Sequence, residues 1–399
     1  MPLYTGIDLT DEYIAVYTEG DEEARVFPAC LCRAREADTW YLGEDALRET
    51  LSGNAVMAEK ILRLLRRGGT QNIAGRTYTG GELLTELFRL LVPAEAMEPG
   101  GFLSVCLHAP DRELMDQVTD SLFSAGAKRE QFLVTSHEEA FIYYVLSRDR
   151  ELWSRMTCLF DVHDGILSYY EFLLARGVSP QAALCSGDDC EAFHPDILKN
   201  EAGRTLADRI VTEIAKRSMD GKLFSGVFLT GEGFRDTSWA TGFLAAVCTR
   251  RKVMQENGLF AIGAEVLAKT GANGLPYVLF CDQRTASEVA IEAEVSGKKT
   301  KLILFGAGER WYGQTVHAEL LLRGEDSVDF LITPFDRGKE KRVVRALLED
   351  FPKWTGEVRR VALDLTFASG KKCTVRITDL GFGDLFPASG KSMTEEMEI

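Results

Sequence analysis

The chain has 399 residues, a length that predicts two or three domains. Hydrophobic residues make up 45% of it and charged residues 27%, as in an ordinary soluble globular protein. The formal net charge of −15 disfavours a nucleic acid or an anionic membrane as partner, because both require clustered Lys and Arg.

The sequence carries no signal for export or for membrane insertion. No basic segment followed by an apolar segment opens the chain, and no apolar run approaches the roughly 18 residues of a membrane span. The nine cysteines are scattered and include no C-x-x-C pair, which predicts reduced thiols. We therefore expect a cytoplasmic protein without a membrane span.

The first predicted elements alternate between strands and helices. Ile7 and Leu9 alternate with polar neighbours, and Ile14 and Val16 follow a polar turn, which predicts a β-hairpin. Apolar periodicity and capping residues predict the elements that follow. These are strands at 103–107 and 132–134, and helices at 54–67, 83–91, 111–126 and from about residue 138.

A second series of predicted elements repeats this order. Its members are strands at 158–162, 166–174 and 227–230, and helices at 202–218 and 238–251. The first two strands are joined at Asp164-Gly165, a tight turn like the one in the first hairpin. Two such series indicate two related α/β lobes, which we place at residues 1–153 and 154–274.

The pattern changes after residue 274. Val289, Ile291 and Ala293 alternate with charged neighbours, and similar runs follow, which predicts a mostly antiparallel β domain over residues 275–390. One helix, at 340–348, is predicted to interrupt this domain. The polar and acidic tail, residues 391–399, is expected to be loose.

Several short motifs, in order along the chain, resemble the DnaK-type heat-shock chaperone family. Gly6-Ile7-Asp8-Leu9 resembles the family's first phosphate strand, G-I-D-L-G-T-T, and residues 54–60 resemble its N-T-V-F-D-A-K motif. Phe160-Asp161 resembles the start of the second phosphate turn. Leu229-Thr230-Gly231 resembles the adenosine loop, and Ile262-Gly263-Ala264 resembles the closing helix.

This resemblance covers nearly the whole chain and suggests a divergent bacterial relative. It implies an α/β fold of two actin-like (ribonuclease-H-like) lobes, followed by a β domain similar to the chaperone's substrate-binding β sandwich. It places Lys60 on the family's catalytic lysine, and Asp8 and Asp161 at positions for acids near a metal ion. For any bound nucleotide, it implies contacts from Gly6, Thr10, Gly165, Gly231, Gly233, Arg235 and Gly263.

The same loops depart from the family where a triphosphate would lie. Thr10-Asp11-Glu12 replaces G-T-T, and residues 161–166 replace D-L-G-G-G-T. Phosphates need glycine there, because its N–H group is unobstructed. A carboxylate ~4 Å from a phosphate charge costs about 4 kcal/mol at an effective dielectric of 20. We therefore expect nucleotide binding to be disrupted by Asp11, Glu12, His163, Asp164 and Glu232.

Two further comparisons bear on the nucleotide site. The segment between residues 174 and 227 is too short for the subdomain that closes over the base in the family. The glutamate of the family's E-P-T-A-A motif falls on Ser136, or on Glu138 after a shift of two residues. The sequence leaves these two alignments open.

The candidate site residues also have purely structural interpretations. Asp8 and Asp161 are residue types whose carboxylates satisfy backbone N–H groups in turns. Lys60 also fits an exposed lysine on a helix.

The sequence gives little reason to expect a metal site. His163 with Asp161 and Asp164 offers only three close ligands, so no metal is expected there. His108 and His137 are interpreted as ordinary residues.

Our leading hypothesis is a chaperone-like or scaffold protein that binds a protein or peptide partner, needs no cofactor and does not hydrolyse ATP. The last predicted strand leaves no room for lid helices, so peptide binding is expected to be weak and fast. One alternative is a divergent ATPase that uses Asp8, Lys60 and Asp161 with Mg²⁺ and ATP. Another is an actin-like assembly or scaffold protein.

Overall fold

The computed structural model describes residues 3–92, 100–177, 179–194, 196–270, 274–295, 297–336, 338–352 and 358–399. The chain divides into two units, Met1–Tyr277 and Val278–Ile399. The first is mixed α/β and the second is built from antiparallel strands. Among the described residues, no helix is both long enough and apolar enough to cross a membrane.

The first part of the N-terminal unit contains ten strands and five helices among its described residues. The strands are β1 (Tyr4–Leu9), β2 (Tyr13–Thr18), β3 (Arg25–Pro28), β4 (Cys30–Ala34), β5 (Trp40–Leu42), β6 (Ala55–Glu59), β7 (Thr70–Ile73), β8 (Arg76–Thr79), β9 (Phe102–Leu107) and β10 (Phe132–Ser136). The helices are α1 (Glu44–Leu51), α2 (Ile61–Arg66), α3 (Gly80–Leu91), α4 (Arg112–Ser124) and α5 (His137–Leu146).

The main sheet of this part has the order β10-β9-β1-β2-β3. β1 pairs antiparallel with β2 and parallel with β9, while β9 and β10 are parallel. Two smaller sheets, β5-β4-β6 and β7-β8, lie outside it. The parallel strands place the residues that follow β9 and β10 at one edge of the sheet.

The second part of the N-terminal unit repeats this topology. Its elements are β11 (Met156–His163), β12 (Ile166–Ala175), β13 (Ala182–Ala192), α6 (Glu201–Met219), β14 (Phe224–Thr230), α7 (Thr241–Val247), β15 (Lys252–Gln255) and α8 (Leu259–Thr270). The strand order within the unit is β15-β14-β11-β12-β13. β11 pairs antiparallel with β12 and parallel with β14, as β1 does with β2 and β9.

Local sequence explains where several helices begin. Asp111 accepts a hydrogen bond from the Leu114 N–H, which confirms the predicted cap of α4. Thr79 and Glu82 form a reciprocal capping box at the start of α3. These caps satisfy backbone N–H groups that lack a partner within the helix.

The C-terminal unit contains nine strands among its described residues. They are β16 (Val278–Phe280), β17 (Ser287–Val295), β18 (Lys298–Phe305), β19 (Thr315–Arg323), β20 (Ser327–Pro334), β21 (Arg342–Leu347), β22 (Val358–Ser369), β23 (Lys372–Asp379) and β24 (Ser392–Glu398). Two antiparallel sheets have the orders β18-β17-β20-β21 and β19-β22-β23-β24. Phe305 and Phe367, one from each sheet, have ring centroids 4.2 Å apart in the core.

Two predicted helices are corrected by strand pairing. Residues 55–59, within the helix predicted at 54–67, form β6 against β4, and Lys60 then adopts a left-handed φ of 54° before α2. Residues 342–347, within the helix predicted at 340–348, form β21 against β20. In both segments, pairing with a neighbouring strand overrides local helix propensity.

The expected loose tail is also wrong. Ser392–Glu398 forms β24, which pairs antiparallel with β23 over its whole length. Met397 is 1% exposed and Ile399 is 7% exposed, so the end of the chain contributes to the core of the C-terminal unit.

Candidate functional site

The turns of the two corresponding hairpins meet in the N-terminal unit. The backbone N–H of Asp11, in the turn after β1, donates to Asp164 Oδ2 at 3.0 Å. Asp164 and Gly165 have φ angles of 49° and 75° and join β11 to β12 as a two-residue loop. Asp-Gly is a preferred sequence for such a turn, because both positions need a positive φ. Gly165 is thus required by the hairpin itself.

Side chains of the first turn satisfy the remaining N–H groups around it. Thr10 Oγ1 accepts from the N–H groups of Glu12 at 3.3 Å and Tyr13 at 3.0 Å. Asp11 Oδ1 accepts from the N–H of Arg63, in the first turn of α2, at 3.0 Å. The backbone donors that could hold an anion in this turn are therefore bonded within the protein.

Two glycines of the family motifs permit close packing of helix α8. A Cβ atom at Gly6 would lie 2.0 Å from the Ala261 carbonyl oxygen, where β1 packs on α8. A Cβ atom at Gly263 would lie 2.1 Å from the Ala140 carbonyl oxygen, where α8 packs on α5. Both positions therefore exclude any side chain for reasons of packing.

The glycines that follow β14 pack against β11. A Cβ atom at Gly231, where φ is 87°, would lie 2.3 Å from Asp161 Oδ1. One at Gly233 would lie 2.4 Å from Val162 Cγ1. In this structure these glycines accommodate the neighbouring strand.

Lys60, Arg235 and two glutamates lie around the meeting turns. Burial raises the pKa of Glu12, and the charge of Lys60 opposes this shift. Burial likewise raises the pKa of Glu232, and Arg235 opposes it. Lys60 is exposed, while Arg235 donates to the Val26 carbonyl at 3.4 Å. Each of these two cations therefore lies beside a glutamate that would repel a phosphate group.

A cavity of about 160 Å³ opens beside the second turn. Its polar lining includes Glu12, Asp164 and Glu232, and its apolar walls include Phe193 and Trp239. Ligand pockets for small molecules are usually about 300–1,000 Å³. The cavity is thus small and acidic for a nucleoside triphosphate.

A buried network of carboxylates and histidines lies behind the turns. Asp8 on β1 is 1% exposed, and His137 Nε2 lies 2.8 Å from its Oδ1. The Tyr13 hydroxyl donates to Asp8 Oδ2 at 3.2 Å. The His137 ring stacks on Phe260 with centroids 3.8 Å apart. Burial lowers the pKa of His137, although Asp8 acts in the opposite direction, so its neutral form is favoured.

Asp161 and His163 form a second buried pair on β11. His163 Nδ1 lies 2.7 Å from Asp161 Oδ2, and both residues are at most 1% exposed. Burial by itself would lower the pKa of His163, but Asp161 raises it to about 9. Burial raises the pKa of Asp161, but His163 outweighs this and leaves it below its ordinary value. Among the described groups, neither oxygen of Asp161 has a hydrogen-bond partner apart from this contact with His163.

His108 and Asp189 form a third pair, at the edge of the network. His108 Nε2 lies 3.0 Å from Asp189 Oδ1, and Ser168 donates to that oxygen at 2.7 Å. The contact with His108 lowers the pKa of Asp189 to about 2. The hydroxyl of Tyr170 lies 3.2 Å from His108 Nδ1 and 3.4 Å from His137 Nδ1. Burial raises the pKa of this phenol well above 10.

The structure therefore joins residues that the sequence treated separately. The predicted Asp8, Asp161 and His163 lie in one network with His108 and His137, which the sequence analysis interpreted as ordinary residues. A signal was present, because these histidines come at or just after the carboxyl ends of β9, β10 and β11. Ligand-binding residues in α/β sheets concentrate at such ends.

Two overlapping sets of side chains in this network have the composition of metal ligands. One contains His108, His137 and His163, and the other contains Asp8, Cys106 and His137. In each set, one candidate ligand atom per residue lies within 4.8 Å of the others. Imidazole suits zinc and other first-row transition ions.

Comparison with known protein families gives two matches. Residues 12–282 match the family of unknown function DUF5716, C-terminal. Residues 284–399 match a domain of unknown function, DUF8552. No curated protein sequence matches the chain. Since the first match spans more than half of the chain, this protein belongs to the DUF5716 family of unknown function.

Proposed function

We propose that the chain is a chaperone-like scaffold that binds a protein or peptide partner and does not hydrolyse ATP. On this proposal the two repeated sheets of the N-terminal unit are actin-like lobes. Their shared order, three antiparallel strands extended by two parallel ones, supports this assignment. The two antiparallel sheets of the C-terminal unit support its similarity to a substrate-binding β sandwich.

The observation that carries the proposal is the direct bond between the two hairpin turns. Asp164 occupies the Asp11 N–H, and Asp11 in turn accepts from the N–H of Arg63. A triphosphate would have to displace these bonds and then lie beside two carboxylates. The Coulomb cost, about 4 kcal/mol for each close pair, is comparable with half of the free energy of micromolar binding. A cleft occupied by the protein's own side chains supports a role that does not depend on ATP hydrolysis.

The edge strands of the C-terminal unit favour an extended partner. β18 and β21 end one sheet and β19 is at the edge of the other. Each carries a large apolar side chain that is more than half exposed: Ile303 at 54%, Val343 at 57% and Leu321 at 58%. Edge strands present unpaired backbone groups to which another strand can add. The proposed partner is thus an apolar segment in extended conformation.

This proposal is tested with the full chain and fluorescent peptides of about seven residues that alternate apolar and polar side chains. We expect measurable, fast-exchanging binding by fluorescence anisotropy. Val343→Glu or Leu321→Glu should weaken it about tenfold or more, because a charge replaces an apolar contact at the edge.

The matched control is Leu385→Glu, since Leu385 is 86% exposed but lies in a loop of the same unit. It should leave binding unchanged. Peptide binding that is absent, or that responds equally to all three variants, contradicts the proposal. No disulfide joins the nine cysteines in the described part of the chain, which agrees with a reducing, cytoplasmic location that we propose on that ground.

A further inference from the structure

Three of the chain's five histidines lie together in the interior of the N-terminal unit. The ring centroids of His108 and His163 are 4.6 Å apart, and His137 lies 5.5 Å from the first and 5.6 Å from the second. One ring nitrogen from each lies within 4.8 Å of the other two. Histidine is a scarce residue here, so this convergence needs a physical reason.

Each of these histidines is in contact with a different carboxylate through one ring nitrogen. His108 contacts Asp189, His137 contacts Asp8, and His163 contacts Asp161. Histidines that bind metals almost always direct their second nitrogen to a carboxylate, a carbonyl or water, which fixes the ring and its tautomer. All three histidines of this cluster have such a carboxylate partner.

The hydroxyl of Tyr170 supplies an independent observation. His108 and His137 both direct Nε2 to a carboxylate and Nδ1 to the Tyr170 hydroxyl. The second nitrogens of the two rings therefore converge on a single oxygen atom. Two imidazole nitrogens and an oxygen at one position are groups that a first-row transition-metal ion binds.

Two buried carboxylates point in the same direction. Asp8 and Asp161 are each at most 1% exposed, and Asp161 has no hydrogen-bond partner besides its contact with His163 among the described residues. Buried carboxylates require a compensating positive charge. A cation bound by the histidines would compensate them through the imidazole rings.

We propose that His108, His137 and His163 bind one divalent transition-metal ion, with Zn²⁺ as the first choice. When the ion binds, His163 releases its Nε2 proton, and the three imidazoles then leave a fourth tetrahedral position, which falls to the Tyr170 hydroxyl oxygen or to water. With Zn–N distances of about 2.1 Å, the ligand nitrogens would lie about 3.4 Å apart. In the structure these atoms lie within 4.8 Å of one another, so metal binding would draw the three rings closer together.

The overlapping set with Cys106 is the weaker candidate. Its Sγ donates to the Ile7 carbonyl oxygen at 3.2 Å, so the thiol keeps its proton in β9. Metal binding requires the thiolate. Asp8 already contacts both His137 and Tyr13 and acts as the outer partner of His137.

The ion would join the two parts of the N-terminal unit. His108 and His137 follow strands of the first sheet, whereas His163 ends β11 of the second. Bound there, the metal would fix the spacing of the two hairpins. The ion would bind at the three clustered histidines whether or not a partner binds the C-terminal unit.

The test uses the full chain after removal of metals with a chelator, titrated with Zn²⁺ and with Co²⁺ under reducing conditions. We expect one equivalent of tight binding, a tetrahedral d–d spectrum with Co²⁺, and little thiolate-to-cobalt charge transfer. Histidine ring signals in NMR should shift for three of the five histidines. Because this readout uses the natural sequence, it does not depend on the folding of a variant.

Variants and a matched control complete the test. Asp161→Asn removes an outer partner of a ligand and should weaken Zn²⁺ binding about 10–100-fold. His108→Gln removes a ligand itself, so it should weaken binding by at least as much. His317→Gln replaces an exposed histidine that contacts Asp364 in the C-terminal unit and should leave binding unchanged. Absence of a bound equivalent, or binding that involves His194, His317 or the exposed Cys248 instead, overturns the proposal.

Discussion

At the scale of single residues, the same amino acid serves a different purpose here than in the family motif it resembles. Gly6, Gly231 and Gly263 match positions in the phosphate and adenosine motifs, yet each is needed because protein atoms approach within 2.3 Å of where its Cβ would lie. Asp11 and Asp164 depart from the family's phosphate motifs, yet each accepts a hydrogen bond from a backbone N–H group. The matches at these glycines are therefore explained by packing within the protein and do not by themselves indicate a bound nucleotide.

The role of Gly263 is tested by comparing two helical glycines. Gly263→Ala should destabilise the protein by about 1–3 kcal/mol, because its methyl group would collide with the Ala140 carbonyl oxygen. Gly81→Ala, in α3, meets only Leu65 Cδ1 at 3.9 Å and should be neutral or stabilising by up to about 1 kcal/mol. Urea unfolding followed by circular dichroism measures both. Equal effects of the two substitutions would contradict the packing role of Gly263.

At the scale of elements, local patterns in the sequence predicted some hairpins and helices but not long-range strand pairing. The hairpin around Asp164-Gly165 follows from a turn sequence, and α4 follows from the Asp111 cap. β6 and β21 carry helix-compatible residues, and only their partners β4 and β20 make them strands. Such partners are distant in the sequence, so a local pattern contains no information about them.

The tail strand β24 was also missed by the sequence analysis, although its residues alternate with the period of a strand. Met393, Glu395, Met397 and Ile399 alternate with exposed residues, which is the period of a strand. Acidic composition concealed this pattern and suggested a loose end. In the structure the strand covers the edge of β23 and buries Met397.

Substitution of Met397 measures the contribution of β24. Met397→Ala should cost about 2–4 kcal/mol, because it leaves a cavity in the core of the C-terminal unit. Met393→Ala, in the same strand but only partly buried, should cost distinctly less. Thermal and urea unfolding of the full chain compare the two. Identical, negligible losses would mean that the end of the chain is not packed.

At the scale of the whole molecule, the sequence indicated part of the candidate site but not its full composition. The hairpin acids Asp8 and Asp161 were identified from short motifs, and so were the departures at Asp11 and Asp164. His108 and His137 could not be added from spacing alone, since they are separated by a helix and reach His163 only in the folded chain. The resulting cleft is occupied by a network of side chains where a nucleotide would need free backbone donors.

The most direct test of this account is isothermal titration calorimetry of the full chain with Mg-ATP and with Mg-ADP. We predict no binding up to millimolar nucleotide, because Asp164 and Asp11 occupy the backbone donors and repel phosphate. Micromolar affinity that Asp161→Ala abolishes, together with ATP turnover that Lys60→Ala removes, would contradict it.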